Sequence, residues 1–362
     1  PAAARTPPPA ADGAKAPARD AAERMAACWS PLAANFEAIL KTTSMLPIRD
    51  PVFDSALAWQ RNLIHKLRGK GDDIVDCAND GSAALMVVGE GEDEEDRPRD
   101  SDLCLVRVWC FTEAGPGALG EEREFRCGSG EVCDAIEFAM RHLAVGGTAA
   151  MACKGQRLQQ LPGFEADQVY PILIQLEELT PNTELEGKPL AKMLPILRAR
   201  KDAGNELFKK ERFDVAYWRY MSVKVCIDEA VESLPPELRC GEFVLECADL
   251  RRTCGLNIAQ CSLKLGKFAG VRPICEQILK EDPMCIKAMY RLAVASLELK
   301  EFAECEDYVR RILNLDSEHK DAVKLRQRSR AARKEAHAAE PIADGRGGQE
   351  AGAGPAAEKK GA

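Results

Sequence analysis

The sequence predicts an α+β protein in which a small β-rich domain is followed by an all-α helical-repeat domain, with disordered tails at both ends. Apolar residues recur with period two in several short segments between residues 81 and 180. Segments 256–282 and 290–316 match each other at a shift of 34 residues, which indicates a repeated helical unit. These two signals lie in separate parts of the chain and therefore predict two domains.

The ends of the chain carry little structural information. Residues 1–27 are rich in alanine and proline, and residues 336–362 in glycine, alanine and glutamate. Such compositions bury too little apolar area to offset the entropy lost on ordering, so both ends are predicted to be disordered. Residues 28–80 form an uncharacterised, partly helical segment with a short amphipathic helix predicted at Asp54–Leu67. Because the chain begins with proline instead of methionine, the sequence leaves open whether a targeting segment precedes it.

Residues 81–180 are predicted to form the β-rich domain. Strands are predicted at Leu85–Val88, Leu103–Phe111 and Val169–Leu179, where apolar residues form a short run or alternate. Only Ala135–Leu143 has a helical pattern. A few strands around one helix is an α+β arrangement.

The helical domain is predicted to span residues 198–335, after a linker or helix at 181–197. The 34-residue period is that of the tetratricopeptide repeat (TPR), in which each unit is a pair of antiparallel helices. A first unit begins near Gly204, and its long second helix continues until the Pro-Pro pair at Pro235 ends it. We therefore predict three repeats and a basic capping helix at Lys320–Lys334. Three repeats are the smallest number expected to bury a continuous core.

Five polar residues are predicted to point into one groove of this domain. They are Lys201, Asn205, Asn257, Lys287 and Arg291. The first two are four residues apart on one helix, as are the last two, so each pair shares a helix face. Two ammonium groups, a guanidinium and two amides on one concave surface form a receptor for carboxylates. A single pair would be more typical of a solvent-exposed helix face, but five residues on one repeat framework favour the receptor.

The five residues resemble the carboxylate clamp of TPR co-chaperones, which has Lys-x-x-x-Asn in the first repeat, Asn in the second and Lys-x-x-x-Arg in the third. In that family the clamp binds the acidic C-terminal tail, ending Glu-Glu-Val-Asp, of cytosolic heat-shock chaperones. The resemblance implies that this protein binds such a tail, meets client proteins there, and is cytoplasmic.

A second resemblance concerns the β-rich domain. The segments Gly89–Asp93, Asp102–Val108 and Phe125–Val132 are similar, in this order, to the motifs of an FKBP domain. An FKBP-like domain followed by a clamp-type TPR domain is the architecture of the large FKBP immunophilins, and the resemblance covers about residues 81–335. FKBP domains catalyse cis/trans isomerisation of X–Pro bonds, whose barrier is about 20 kcal/mol, in an apolar pocket lined by aromatic rings. They need no cofactor or metal.

The resemblance places the prolyl pocket at a defined set of residues. They are Val108, Arg123, Phe125, Val132, Cys133, Ile136 and Ile172. The family's tryptophan at the pocket floor falls on Ile136, a tyrosine falls on Val108, and a phenylalanine falls on Arg123. Most of the aromatic lining is therefore replaced, and two alternatives remain open. The domain either assists client folding or acts as a spacer without catalysis, or it is an active peptidyl-prolyl isomerase carried to the chaperone by the TPR domain.

Composition argues against several other functions. A net charge of −8 is unfavourable for binding nucleic acid. The fifteen cysteines include no Cys-x-x-Cys pair and the chain has only four histidines, so no metal site is predicted. Cys247, Cys254 and Cys261 recur every seven residues, which predicts reduced thiols packed on one helix face. No apolar run approaches the roughly 20 residues that span a bilayer, and no membrane association is expected.

Overall fold

A computed structural model describes residues 75–339, except 79–81, 92–96, 113–114, 162, 236, 238 and 240. The predicted tail 1–27 and the helix at Asp54–Leu67 lie outside the described residues. The same holds for nearly all of the predicted tail 336–362, because the description ends at Ala339.

The first domain is built on a six-stranded antiparallel sheet. Its strands are β1 (Val75–Asp76), β2 (Ala83–Gly89), β3 (Leu103–Thr112), β4 (Gly115–Arg126), β5 (Thr148–Lys154) and β6 (Val169–Thr180), in the spatial order β1-β2-β5-β6-β3-β4. One helix, α1 (Asp134–Ala139), packs on the sheet. The α+β fold predicted for this domain is confirmed, although the sheet includes a strand that precedes the predicted start at residue 81.

The core of this domain lies between α1 and one face of the sheet. On β3, Val106 is paired with Leu176 of β6, and Val108 with Ile174. All four side chains are at most 1% exposed, and they pack in one apolar cluster with Ile136 of α1. The sequence of β3 and β6 has a period of two because successive side chains of a strand point to opposite faces of the sheet.

The sheet domain differs from the sequence predictions in three strands and in the length of its helix. Strands β1, β4 and β5 were not predicted. The segment Thr148–Lys154 is alanine-rich and its five central residues are all buried, so it lacks both strand propensity and alternation. The segment Gly115–Arg126 begins with glycine and proline, which are poor strand formers. The helix predicted at Ala135–Leu143 ends at Ala139, because the chain tightens there into a turn in which Arg141 N donates to Phe138 O (3.2 Å).

The second domain consists of seven helices in the described residues. They are α2 (Leu190–Lys209), α3 (Phe213–Glu232), α4 (Glu242–Lys264), α5 (Val271–Glu281), α6 (Ile286–Glu298), α7 (Phe302–Leu315) and α8 (Lys320–Ala339). Helices α2 to α7 form three antiparallel pairs, and α8 packs on the last pair as predicted for a capping helix. Helix α2 begins at Leu190, before the predicted start of the helical domain at residue 198. Within the described residues, no helix is both long and apolar enough to cross a membrane.

Successive helix pairs use the same turn and pack through three apolar clusters that share partly buried side chains at their borders. The chain turns within the pairs at Glu211, Gly266 and Lys300, whose φ angles of 60°, 69° and 63° all lie in the left-handed region. The last two are 34 residues apart, as the repeat period requires. In the core, Cys254 and Cys261 are completely buried, as is Cys247, which confirms the packing predicted for this seven-residue series. Burial raises the pKa of Cys254 and of Cys261 to about 12, so both remain thiols.

The two domains meet through buried arginines of the TPR domain. Arg212, just before α3, donates from Nε to Asp134 Oδ1 (2.6 Å) and from its two terminal nitrogens to the carbonyls of Gly130 and Val132 (2.7 Å each). Arg219 of α3 donates to Asp100 Oδ1 (2.7 Å). Gly130 has φ of 79°, which favours glycine, and a Cβ there would lie 2.5 Å from a methyl carbon of Leu207 on α2, so a larger residue would have to displace that side chain.

Candidate functional site: a polar groove across three helices

The first two helices of the groove, α2 and α4, meet through a pair of amides. Asn257 of α4 donates from Nδ2 to Oδ1 of Asn205 on α2 (3.3 Å), although the two residues are 52 positions apart. The hydroxyl of Tyr220 on α3 donates to the same oxygen at 2.8 Å. Two of the five predicted groove residues are therefore in direct contact, and a tyrosine that was not predicted contacts one of them.

Lys201 lies one turn before Asn205 and is held by a neighbouring acid. Its ammonium group pairs with the Asp202 carboxylate, and Nδ2 of Asn205 donates to the same carboxylate oxygen at 3.2 Å. The Lys201 side chain is 20% exposed, whereas that of Asp202 is 63% exposed. The exposed Asp202 carboxylate therefore contacts both donor groups of α2, the Lys201 ammonium and the Asn205 amide.

Arg291, on α6, is the most unusual charge of the groove. Its Nε donates to Gln260 Oε1 of α4 at 3.1 Å, while its Nη1 is buried without a hydrogen-bond partner. Within the described part of the chain, no carboxylate pairs with this guanidinium. Burial lowers the pKa of Arg291, and nearby cysteines oppose that shift. A half-buried cation without a carboxylate partner favours an anionic ligand, although Nη1 itself is closed to solvent and a ligand would meet the remaining part of the guanidinium.

Lys287 lies four residues before Arg291 on the same helix and is exposed. It makes no ion pair within the described residues, and no contact links it directly to the other predicted groove residues. Since residues four apart share a helix face, its ammonium group extends the line of donors beyond Arg291. The five predicted residues therefore lie on α2, α4 and α6, the first helices of the three repeats, with α4 in the middle.

Sequence reasoning missed three side chains of the groove: Asp202, Tyr220 and Gln260. Asp202 and Gln260 are ordinary polar residues of helix surfaces and give no distinctive signal. The contact of Tyr220 has one signal in the sequence, namely Gly204 directly before Asn205. A Cβ at position 204 would lie 2.8 Å from Cε1 of Tyr220, so glycine is needed for the ring to reach α2.

Six of the seven residues assigned to the prolyl pocket lie close together and are buried in the core of the sheet domain. Val108, Phe125, Val132, Cys133, Ile136 and Ile172 belong to one cluster, and none is more than 5% exposed. The seventh, Arg123 on β4, pairs with Glu121 at the domain surface, with its side chain 32% exposed. A cavity that admits a proline ring would leave its lining accessible to water, so these six side chains do not line an open pocket.

Comparison with known proteins gives distant relatives. No family model matches the chain. FK506-binding protein 59 of Drosophila melanogaster is 23% identical over 269 residues, which are 72% of this chain and 58% of that protein. FK506-binding protein 5 of Rhizopus delemar is 25% identical over 194 residues, which are 52% of this chain and 48% of that protein. The chain spans about half the length of the curated relatives it matches.

Among solved structures, a multi-domain immunophilin from Arabidopsis thaliana is similar over 65% of this chain and 95% of its own, with 17% identity and a TM-score of 0.33. The names of these FK506-binding proteins agree with the FKBP-like motifs of the sheet domain. The chain is similar in sequence to FK506-binding proteins, and its sheet domain followed by three helix pairs has the domain order that the sequence predicts.

Proposed function

We propose that this protein is a co-chaperone whose TPR groove binds the acidic C-terminal tail of a cytosolic heat-shock chaperone. The observation that carries the proposal is Arg291, a partly buried guanidinium with an unpartnered nitrogen and no carboxylate beside it within the described residues. Burying a charge is costly unless it is paired, so a ligand carboxylate that pairs with Arg291 would recover that cost. A cytoplasmic location follows from the proposed partner.

The other groove residues give the ligand site a length and a direction. Arg291 and Lys287 provide cations on α6, Asn257 provides an amide on α4, and Lys201 and Asn205 provide donors on α2. A tail that ends in aspartate carries two adjacent carboxylates, and each requires donors of this type. A charge-assisted hydrogen bond contributes about 1.5–3 kcal/mol, so loss of one donor is expected to weaken binding measurably.

We further propose that the FKBP-like domain acts as a spacer or holds a client, and does not catalyse prolyl isomerisation. The buried side chains at the six pocket positions support this choice, because an isomerase must bind the twisted imide in an accessible apolar pocket. The alternative is an active isomerase brought to the chaperone by the TPR domain. A protease-coupled prolyl-isomerisation assay on the whole chain distinguishes the two. Turnover within about tenfold of an ordinary FKBP domain would favour the enzyme.

The groove is tested by calorimetry with two peptides ending in Glu-Glu-Val-Asp, one with a free C-terminal carboxylate and one amidated. We expect Arg291→Ala and Lys287→Ala each to weaken binding of the free peptide by about tenfold or more, equivalent to about 1.4 kcal/mol. The amidated peptide should bind the wild type more weakly than the free one.

Matched controls are Arg310→Ala on α7 and Lys324→Ala on α8, which remove the same charges from exposed side chains that are already paired with Asp307 and Asp321 and lie on helices without predicted groove residues. Equal affinities for the free and amidated peptides would contradict capture of a terminal carboxylate. Equal losses of affinity in the groove and control variants would show that the effect depends on net charge and not on the groove.

A further inference from the structure

We propose that Tyr220 is a positioning residue for the groove: its hydroxyl anchors the Asn205 side chain at the place from which Nδ2 can donate to a ligand carboxylate. The inference rests on the proposed function, because it concerns the same site. It assigns a role to a buried residue of α3, a helix that contributes none of the five predicted groove residues.

The hydrogen bonds around Asn205 define one orientation of its amide. Tyr220 OH (2.8 Å) and Asn257 Nδ2 (3.3 Å) both donate to Oδ1. On the other side, Nδ2 donates to Asp202 Oδ1 at 3.2 Å. Rotating the amide by 180° would turn Nδ2 toward the amide nitrogen of Asn257 and Oδ1 toward the Asp202 carboxylate, so it would replace favourable contacts with repulsive ones.

The tyrosine is held firmly in the position that this role requires. Its side chain is buried, being only 1% exposed, and packs in the core shared by α2, α3 and α4. The ring lies against the backbone of α2 at Gly204, where a Cβ would come within 2.8 Å of Cε1. Burial raises the pKa of Tyr220, Cys261 and Cys254 add to the shift, and a hydrogen bond with the Asn257 side chain opposes it, so that the hydroxyl keeps its proton.

These contacts decide which end of the Asn205 amide faces the ligand. An amide offers a donor at one end and an acceptor at the other. With Oδ1 engaged by Tyr220 and Asn257, only the donor end is left for the groove, and a ligand carboxylate can replace Asp202 as the acceptor. A tyrosine hydroxyl accepts as well as donates, so Asn257 and Asp202 set the orientation of the amide, and Tyr220 fixes its position. Without the hydroxyl, Asn205 loses its anchor on α3 and its side chain leaves this position more readily.

The test is a double-mutant cycle with Tyr220→Phe and Asn205→Ala, read out as the affinity for the free-carboxylate peptide. Tyr220→Phe keeps the ring and removes only the oxygen. We expect it to weaken binding about twofold to tenfold, the range given by the net contribution of one hydrogen bond. If Tyr220 acts only through Asn205, then Tyr220→Phe has no further effect in the Asn205→Ala background. A merely structural role would instead give additive losses.

A second measurement does not depend on the peptide. The side-chain amide resonances of Asn205, assigned by comparison with Asn205→Ala, should shift in the nitrogen–proton correlation spectrum of free Tyr220→Phe. Wild-type affinity of Tyr220→Phe, losses that add to those of Asn205→Ala, or unshifted amide resonances would each overturn the inference.

Arg291→Ala, measured in parallel, separates the two levels of the argument. If Arg291→Ala binds the peptide as the wild type does, the groove proposal is overturned together with this inference. If Arg291→Ala is weakened and Tyr220→Phe is not, only the positioning role of Tyr220 is overturned.

Discussion

Replacing Arg212 with alanine tests whether the junction between the two domains contributes to the stability of the whole chain. Arg212 is 8% exposed and Asp134 is 1% exposed, and the two are joined at 2.6 Å. The substitution also removes the donor to the carbonyl of Val132, whereas the carbonyl of Gly130 keeps a second donor in Gln160 Nε2 at 3.0 Å.

The magnitude follows from what is left at Asp134. Removing one partner of a buried ion pair costs about 3–5 kcal/mol, because the remaining charge is uncompensated. Here Arg157 still lies 3.2 Å from Asp134 Oδ2, so the carboxylate keeps a partner. We therefore expect a loss of about 3 kcal/mol in the free energy of unfolding, at the lower end of that range. Arg212→Lys, which keeps the charge but not the planar set of donors, should give a smaller loss.

The assay is equilibrium unfolding in urea, followed separately by near-ultraviolet and far-ultraviolet circular dichroism. Arg310→Ala is the control, since this arginine is 72% exposed and its partner Asp307 lies on the same helix. The control is expected to change stability by less than about 0.5 kcal/mol. A loss below about 1 kcal/mol for Arg212→Ala would refute the reasoning, because the junction would then be too weak to fix the domains against each other.

Two further predictions concern charged groups of the groove and of the sheet domain. Asp202→Asn should strengthen binding of the free-carboxylate peptide about twofold to fivefold, because it removes an exposed carboxylate that competes with the ligand for Lys201 and Asn205. Weaker binding of the variant in calorimetry would contradict this prediction. Burial raises the pKa of Glu137, so the folded state binds the Glu137 proton more tightly than the unfolded state does. Proton binding therefore stabilises the fold at low pH, and this stabilisation is lost as pH rises through the folded pKa. The free energy of unfolding of Glu137→Gln relative to wild type should therefore increase from pH 4 to pH 8 in urea titrations, and a constant difference would count against the assignment.

The sequence was sufficient for the parts of the structure that depend on local periodicity. Strands β3 and β6 alternate along a half-buried ladder, and the repeated helix pairs follow the 34-residue period. Strand β5 could not be recognised because alanines with low strand propensity become buried on both faces only after the sheet has formed. Its burial is a tertiary property, which the composition of Thr148–Lys154 does not contain.

The groove shows the same division. Lys201 and Asn205 were identifiable because a spacing of four residues places them on one helix face, but the contact that orients Asn205 comes from another helix. The junction was not predictable either. Arg212 and Asp134 are 78 residues apart, and charged residues near helix termini are usually exposed to solvent. Nothing in their local sequence distinguishes a buried ion pair from two surface charges.

Helix α3 connects the two features that the sequence did not predict. Arg219 binds Asp100 of the FKBP-like domain, and the next residue, Tyr220, binds Asn205 of the groove. A rotation of α3 that broke one contact would move the other, because consecutive residues of a helix share one rigid backbone. Together with Arg212 at its start, α3 therefore holds the FKBP-like domain in a defined position relative to the groove. A spacer needs this property more than it needs an open prolyl pocket, and the buried pocket positions are compatible with that role.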